Sequence, residues 1–355
     1  MTLARRIDDG AADSSLVTAP ATRDLRSVST LPSIQSLRAL AALMVLGFHL
    51  SQWTGFDFRI GQAGVDLFFV ISGVVMWRST SERSGGSGAF LAARAVRILP
   101  PYWIATGGLL ALELLAPDTL DHLHPEAGHI ALSLLLIPHL DPEGLPFPFL
   151  SQGWTLAYEA VFYGLIAIGL LLAPARRLTF LTTALVILAL AGLAWPPAYG
   201  LIANPLMLEF LAGVWLARLL EARALPGPAM AWAMIGLGVA AFASLAFIGF
   251  YNDLLRPWLW GPPAILIVGG AVALEQARTA PRLAPLEMLG DASYSLYLWH
   301  TLAAALVSLL ISERSWAFVP AAAAAAIAAA FASRALIEGP ALKASRALAA
   351  RARRP

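Results

Sequence analysis

The chain has 355 residues, of which 59% are hydrophobic and only 13% are charged, and its mean hydropathy is +0.71. A typical soluble domain is about 45–50% apolar and about 25% charged, so this composition excludes an ordinary soluble protein and indicates a polytopic membrane protein. The absence of cysteine excludes disulfides, a cysteine nucleophile and thiolate metal sites. The formal net charge of +2 is small, and we expect no nucleic-acid partner.

Apolar runs long enough to cross a bilayer occur along the whole chain, and they predict an all-α polytopic membrane protein with about ten transmembrane helices. The predicted spans lie at about residues 35–53, 62–78, 100–116, 154–173, 179–195, 201–220, 229–250, 258–274, 293–312 and 316–337. A shorter run, His129–His139, has a length that favours a re-entrant or interfacial segment.

The distribution of arginines predicts the orientation of these spans. If the run His129–His139 does not cross, one side of the membrane receives most of the arginines, namely Arg78, Arg83, Arg94, Arg97, Arg176, Arg177, Arg218, Arg223, Arg278, Arg282, Arg351, Arg353 and Arg354. If it crosses, every later loop changes side and Arg176 and Arg177 lie outside. The positive-inside rule therefore favours ten spans in the inner (cytoplasmic) membrane, with both termini cytoplasmic and residues 117–153 outside.

The ends of the chain differ in composition from the membrane region. Residues 1–32 are polar and lack the apolar core of a cleavable signal peptide, so we expect a disordered cytoplasmic tail there. We expect residues 33–340 to form the transmembrane domain and residues 341–355 to form a basic cytoplasmic tail.

The first span contains an arginine near its start and a histidine deep inside it, Arg38 and His49. Eleven helical residues separate them, which corresponds to a rotation within about 20° of the same face and an axial rise of roughly 16 Å. An ionisable residue near the middle of a bilayer is a functional-site hypothesis by default. A buried histidine bonded to a neighbouring helix is the alternative interpretation.

Two further charged groups lie near the ends of the next helices. Asp66, within the run Gly64–Gly73, is either an acceptor-facing carboxylate or an interfacial one beside a Gly/Ser packing face. Arg94 and Arg97 are i,i+3 neighbours on a helical turn, and Pro100-Pro101 after them suits the start of a new span. The arginine pair is either a positive-inside anchor or a phosphate clamp on the same membrane face as Arg38.

Later spans carry polar residues that need partners inside the membrane. Trp154 fits an interfacial aromatic belt, and Glu159 lies about one and a half turns deeper. Glu209 is a similar intramembrane carboxyl in a later span. In the ninth span, Tyr297 and His300 are i,i+3 neighbours that share a face.

The loop histidines His122, His124 and His129, with Glu126, match no strong metal-binding spacing, and we expect no metal site.

Taken together, these segments resemble the membrane acyltransferase family 3, whose members are ten-helix inner-membrane enzymes that acylate sugars and other hydroxyl-bearing acceptors. The resemblance covers about residues 33–340 and depends on five motifs in order. The matching positions are Arg38 and His49; Gly64 to Gly73; Arg94, Arg97, Pro100 and Tyr102; Trp154, Leu156 and Glu159; and Ser293, Tyr294, Tyr297, Leu298 and His300.

The resemblance implies an acyl transfer from acyl-coenzyme A, with acetyl as the expected acyl group, to a hydroxyl of a carbohydrate, a lipid-linked sugar or a related acceptor. Histidine has an ordinary pKa of about 6.5, which suits His49 as the general base, and Glu159 is a candidate to orient it. Arg38, Arg94 and Arg97 are predicted to bind the donor phosphates. Arg38 is also predicted to be a catalytic residue.

The acceptor is expected near Asp66, Trp154, Tyr297 and His300. Membrane lipids are the remaining expected partners, and the sequence makes no prediction of oligomeric state.

Two other classes of protein remain open at this point. A transporter would use the intramembrane histidines and glutamates as a proton relay, and broken helices with duplicated halves would support it. A non-catalytic subunit that binds lipid or polysaccharide is the second alternative.

Overall fold

The computed structural model describes residues 31–81, 86–119, 123, 125–194, 201, 203–222, 226–248 and 255–344. Nearly all of the two predicted tails, as well as His122 and His124, lie outside these residues. Within the described ranges the fold is built from helices, and no β-strand is formed. The predicted all-α class is confirmed.

Ten helices in the described part of the chain have 15 residues or more. They are α1 (Pro32–Thr54), α2 (Ala63–Ser81), α3 (Ser87–Leu115), α5 (Gly153–Leu170), α6 (Pro174–Ala194), α7 (Met207–Glu221), α8 (Pro228–Ile248), α10 (Gly261–Gln276), α12 (Ser293–Ser308) and α13 (Phe318–Ser333). Shorter helices are α4 (Ala127–Leu134), α9 (Arg256–Leu259) and α11 (Ala284–Asp291), and a π-helical turn, Arg334–Glu338, follows α13.

Seven of the described helical segments are long and apolar enough to cross a membrane. The helices α7, α10 and α12, with 15 or 16 residues each, lie at the other three predicted spans. A helix of 16 residues is about 24 Å long, shorter than the roughly 30 Å hydrocarbon core of a bilayer. The protein is therefore a multi-pass membrane protein, and the count of ten crossings stays a prediction.

The ambiguous run at His129–His139 forms the eight-residue helix α4 followed by irregular chain. Eight residues span about 12 Å, too little to cross a bilayer. The structure thus agrees with the interfacial interpretation.

Helix α1 is uninterrupted between Arg38 and His49. It begins with Pro32, whose fixed φ suits the first turn of a helix, and it ends at Gly55, which has the left-handed φ of 72°. Because no break intervenes, both side chains are placed by one straight element, as their spacing predicts.

Helix α3 corrects the predicted boundary of the third span. Pro100 and Pro101 lie inside a helix that starts at Ser87, rather than at the start of a new element. Two prolines remove two backbone donors, but in a membrane helix neighbouring polar groups can satisfy the freed carbonyls. Arg94 and Arg97 therefore belong to the spanning helix itself.

Helices α2 and α7 approach each other very closely at a pair of glycines. A Cβ atom on Gly73 would lie 2.8 Å from the Cα atom of Gly213, and the reverse substitution would give the same separation. Small residues permit such close packing of membrane helices. This contact brings the ends of α2 and α7 that carry Asp66 and Glu209 together in the interior.

Candidate active site

A cavity of about 100 Å³ lies between α1, α2, α3, α5 and α12, and we call it the arginine cavity. It contains three arginines and one glutamate: its lining residues are Arg38, Val65, Phe68, Phe69, Ile71, Ser72, Val75, Met76, Arg94, Arg97, Ile98, Thr155, Leu156, Glu159, Tyr163, Tyr294 and Tyr297. Positive charge therefore exceeds negative charge in this cavity, as an anionic ligand requires.

Two of the arginines of this cavity, Arg38 and Arg94, contact side chains that hold them in place. The Nε atom of Arg38 donates to the hydroxyl of Ser293 at 3.1 Å. The guanidinium of Arg94 is 5.8 Å from the ring centroid of Phe90, and its Nη1 atom is 3.7 Å from the sulfur of Met76. A guanidinium fixed in this way is arranged for phosphate or carboxylate recognition.

Glu159 belongs to the arginine cavity and not to the surroundings of His49. Its carboxylate accepts a hydrogen bond from the hydroxyl of Ser72 at 2.8 Å. No hydrogen bond joins Glu159 to His49 in the part of the chain that the structure describes. Its predicted role in orienting that histidine thus has no direct contact to support it.

A second cavity, of about 390 Å³, lies at the other end of the same face of α1, and we call it the histidine cavity. Amides and aromatic rings dominate its wall: the lining residues are Val45, Phe48, His49, Gln52, Gln62, Val65, Pro146, Phe147, Ser151, Gln152, Trp154, Tyr158, Asn204, Leu206, Arg256 and Tyr297. Cavities of this size, with several convergent polar groups, are typical of small-molecule sites.

His49 is half-buried on the wall of the histidine cavity. Its Nδ1 atom is 3.2 Å from the Oε1 atom of Gln52, one helical turn further along α1. When the Gln52 oxygen accepts this bond, the proton of the neutral ring lies on Nδ1 and the lone pair lies on Nε2. This tautomer leaves Nε2 available as a base.

Two residues, Val65 and Tyr297, line both cavities. The hydroxyl of Tyr297 is 2.8 Å from the hydroxyl of Thr155 and donates to the carbonyl of Gln152 at 3.1 Å. These bonds fix the tyrosine at the boundary between the two cavities.

Asp66 and His300 are buried and line neither cavity. Asp66 has no exposed surface and forms an ion pair of 2.7 Å with Arg256, while the ring of His300 contacts those of His49 and Tyr297. Of the four residues predicted to bind the acceptor, Trp154 and Tyr297 therefore lie on the cavity wall, whereas Asp66 and His300 lie behind it.

Arg256 lies on the wall of the histidine cavity, although it belongs to none of the motifs that marked the other candidate residues. A signal was available, because Arg256 precedes the eighth predicted span on the side that the topology places outside, where the positive-inside rule disfavours arginine.

The structure contains no group of three or more histidine, aspartate or glutamate side chains arranged to hold a metal ion, as far as its described residues extend. The loop histidines His129 and His139 contact each other, with 2.8 Å between Nδ1 and Nε2.

A family model described as an acyltransferase domain matches residues 31–335, nearly the whole of the described chain. The chain belongs to membrane acyltransferase family 3. The five motifs that suggested the resemblance lie in or beside the two cavities.

Curated relatives agree with this assignment. The exopolysaccharide production protein ExoZ of Rhizobium meliloti is 38% identical over 267 residues, which cover 74% of this chain and 82% of that protein. The acyltransferase MdmB of Streptomyces mycarofaciens is 27% identical over 77% of this chain and 79% of that protein. The peptidoglycan O-acetyltransferase OatA of Listeria monocytogenes is 26% identical over 76% of this chain, but this chain spans about half of its length, 48%. No solved structure matches the chain.

Membership of family 3 makes the protein an acyltransferase of groups other than aminoacyl groups, with O-acetyltransferases among its relatives. The transporter and the non-catalytic binding subunit, which the sequence left open, are not supported by these comparisons.

Proposed function

We propose that this membrane acyltransferase moves an acyl group, in the first instance acetyl, from cytoplasmic acyl-coenzyme A to a hydroxyl of an extracytoplasmic carbohydrate. The donor binds in the arginine cavity and the acceptor in the histidine cavity. The enzyme lies in the inner membrane with both termini in the cytoplasm, as the arginine distribution predicts.

The observation that carries the proposal is the difference in charge between the two cavities along one face of α1. Among the described residues, three arginines and one glutamate line the cavity at the Arg38 end. Amides, aromatic rings and a single arginine line the cavity that contains His49. Coenzyme A carries several phosphates and a carbohydrate carries hydroxyls, so each cavity suits one of the two substrates.

The size of the arginine cavity indicates which part of the donor enters it. At about 100 Å³ it is smaller than the roughly 300 Å³ at which small-molecule pockets begin. In the proposal, the narrow pantetheine arm with its thioester enters along α1 towards Tyr297, while the nucleotide phosphates remain at the mouth beside the arginines.

The proposed chemistry needs one proton acceptor at the histidine cavity. The Nε2 atom of His49 takes the proton from the acceptor hydroxyl as its oxygen attacks the thioester carbonyl. The tetrahedral intermediate then expels the coenzyme A thiolate, which takes the same proton back from His49. An ester bond forms, a thioester bond breaks, and no further reactant is consumed.

The relatives support the acceptor class by what their names state. One is an exopolysaccharide production protein and another a peptidoglycan O-acetyltransferase, which makes a carbohydrate hydroxyl the first acceptor to test.

The test is to supply the purified protein, in lipid nanodiscs, with isotopically labelled acetyl-coenzyme A and surface oligosaccharides from a strain in which the gene is deleted. We expect free coenzyme A to appear together with labelled oligosaccharide, and His49→Ala protein to produce both at least about 100-fold more slowly. Mass spectrometry of surface glycans should show a missing acyl mass in the deletion strain. If acetyl-coenzyme A remains unreacted with every oligosaccharide fraction tested, the proposal is contradicted.

A further inference from the structure

Arg256 is an arginine with 5% of its surface exposed, at the start of α9 and on the wall of the histidine cavity. A guanidinium buried in a membrane protein is costly, and such residues commonly mark a functional site. None of the five family motifs quoted above includes it.

The guanidinium of Arg256 is fixed by several contacts. Its Nη2 and Nε atoms donate to the Asp66 carboxylate at 2.7 and 3.1 Å, and Nη2 also donates to the carbonyl of Gln62 at 2.9 Å. Its central carbon lies 4.9 Å from the ring of Trp260. A planar group held along one edge and stacked on a ring has a fixed orientation.

The Nη1 end of the guanidinium lies beside the side chain of Gln62. The Nη1 atom donates to the side-chain oxygen of Gln62 at 3.5 Å, a longer hydrogen bond than those to the Asp66 carboxylate and the Gln62 carbonyl. Since Gln62 and Arg256 both line the histidine cavity, an acceptor molecule can meet both.

The charge of Arg256 is compensated from behind the wall. Asp66 has no exposed surface, and Glu209, with 2% exposed, lies beside Asp66 and lines neither cavity. Among the residues that the structure describes, the other polar side chains of the wall, such as Gln52, Gln152 and Asn204, carry no negative charge. Such a wall favours hydroxyl and ether oxygens over a second negative charge.

We propose that Arg256 is an acceptor-binding residue that donates hydrogen bonds to the oxygens of an uncharged sugar unit, and that Asp66 is the residue that positions it. This inference rests on the proposed function, because it takes the histidine cavity to be the acceptor site. It gives the family's buried aspartate a role without direct substrate contact.

The test compares Michaelis constants for the two substrates in the nanodisc assay. Arg256→Lys keeps the charge and loses the fork of donors, so it should raise KM for the oligosaccharide acceptor by about 10- to 100-fold and leave KM for acetyl-coenzyme A unchanged. Asp66→Asn should act in the same direction. The matched control is Arg59→Lys, an exposed arginine paired with Asp57 that lines neither cavity, and it should change neither constant.

A variant that leaves an unpaired buried charge can fail to fold, so the double variant Asp66→Asn/Arg256→Gln provides a second measurement. It removes both charges together and avoids the unpaired charge. It should still show the raised KM for the acceptor. An unchanged KM for the acceptor in this variant or in Arg256→Lys, or an equal rise for both substrates, would overturn the role of Arg256.

Analysis of the labelled product tests whether the sugar unit that accepts the acetyl group is uncharged. Tandem mass spectrometry of the labelled oligosaccharide should place the acetyl group on an uncharged sugar unit, and its placement on a uronic acid or a phosphorylated unit would contradict the inference. A different result contradicts the proposed function itself, namely that wild-type protein releases no coenzyme A at all.

Discussion

The imidazole rings of His49 and His300 lie with their centroids 4.9 Å apart and their planes inclined by 43°. His49 opens on the histidine cavity, whereas His300 is 1% exposed and its Nδ1 atom is 3.2 Å from the carbonyl of Leu296. A carbonyl can only accept, so the lone pair of neutral His300 lies on Nε2. The two histidines therefore form a contacting pair of which His49 lines the histidine cavity and His300 does not.

His49→Ala should leave the protein folded and inserted, while it lowers turnover by roughly 10²–10⁴-fold, the usual contribution of a general base. Turnover is measured as coenzyme A release, and folding is checked by thermal stability in nanodiscs. His300→Ala is the matched substitution, because it removes the other buried histidine of the pair. The base is wrongly assigned if the first variant keeps nearly full turnover and the second loses it while remaining folded.

The pH dependence of the reaction gives an independent check on the base. A histidine accepts a proton only when its ring is neutral, so activity should fall as the pH decreases and the ring becomes protonated. We expect the logarithm of kcat/KM to decline with a slope of one proton on the acid side. A profile that stays flat over the whole range in which the protein is folded would exclude a titrating base.

Arg94→Ala and Arg97→Ala should raise KM for acetyl-coenzyme A and leave KM for the acceptor nearly unchanged, because both arginines line the cavity assigned to the donor. The loss of one charged hydrogen bond is expected to weaken donor binding by about 10- to 100-fold. The comparison is Arg176→Ala, an exposed arginine at the start of α6 on the same predicted side of the membrane. Equal weakening for both substrates, or a defect in membrane insertion alone, would identify the pair as a topological anchor.

The orientation of the chain can be measured with single cysteines, since the natural sequence contains none. Cysteines that replace His122 and Leu145 should both react with an impermeant thiol reagent added outside the cell; position 122 lies outside the described residues. A cysteine that replaces the exposed Ala277, after α10, should react only after permeabilisation. Reaction of positions 122 and 145 on opposite sides would rule out ten crossings.

The positions of the long helices and the pairing of Arg38 with His49 on one face could be predicted from the sequence, because both depend on local periodicity and length. The continuity of α3 through Pro100 and Pro101 could not, since neighbouring helices determine whether a proline breaks a membrane helix.

The contact between Asp66 and Arg256 was equally inaccessible, because these two residues are 190 positions apart in sequence. A pair so distant is brought together only by the packing of α2 against other helices. The membership of Glu159 in the arginine cavity has the same origin, since its partner Ser72 is 87 positions away.

Val65 and Tyr297, which line both cavities, bear on how the membrane keeps its electrical potential. A bilayer that carries a potential of about 100 mV drives each elementary charge with roughly 2.3 kcal/mol, and any continuous aqueous passage would let protons and ions leak. In the proposed reaction only the thioester end of the donor reaches past these two side chains to the acceptor, so the reaction needs no such passage. Under the proposed function, the enzyme serves substrates on opposite sides of the bilayer without discharging the gradient on which the cell depends.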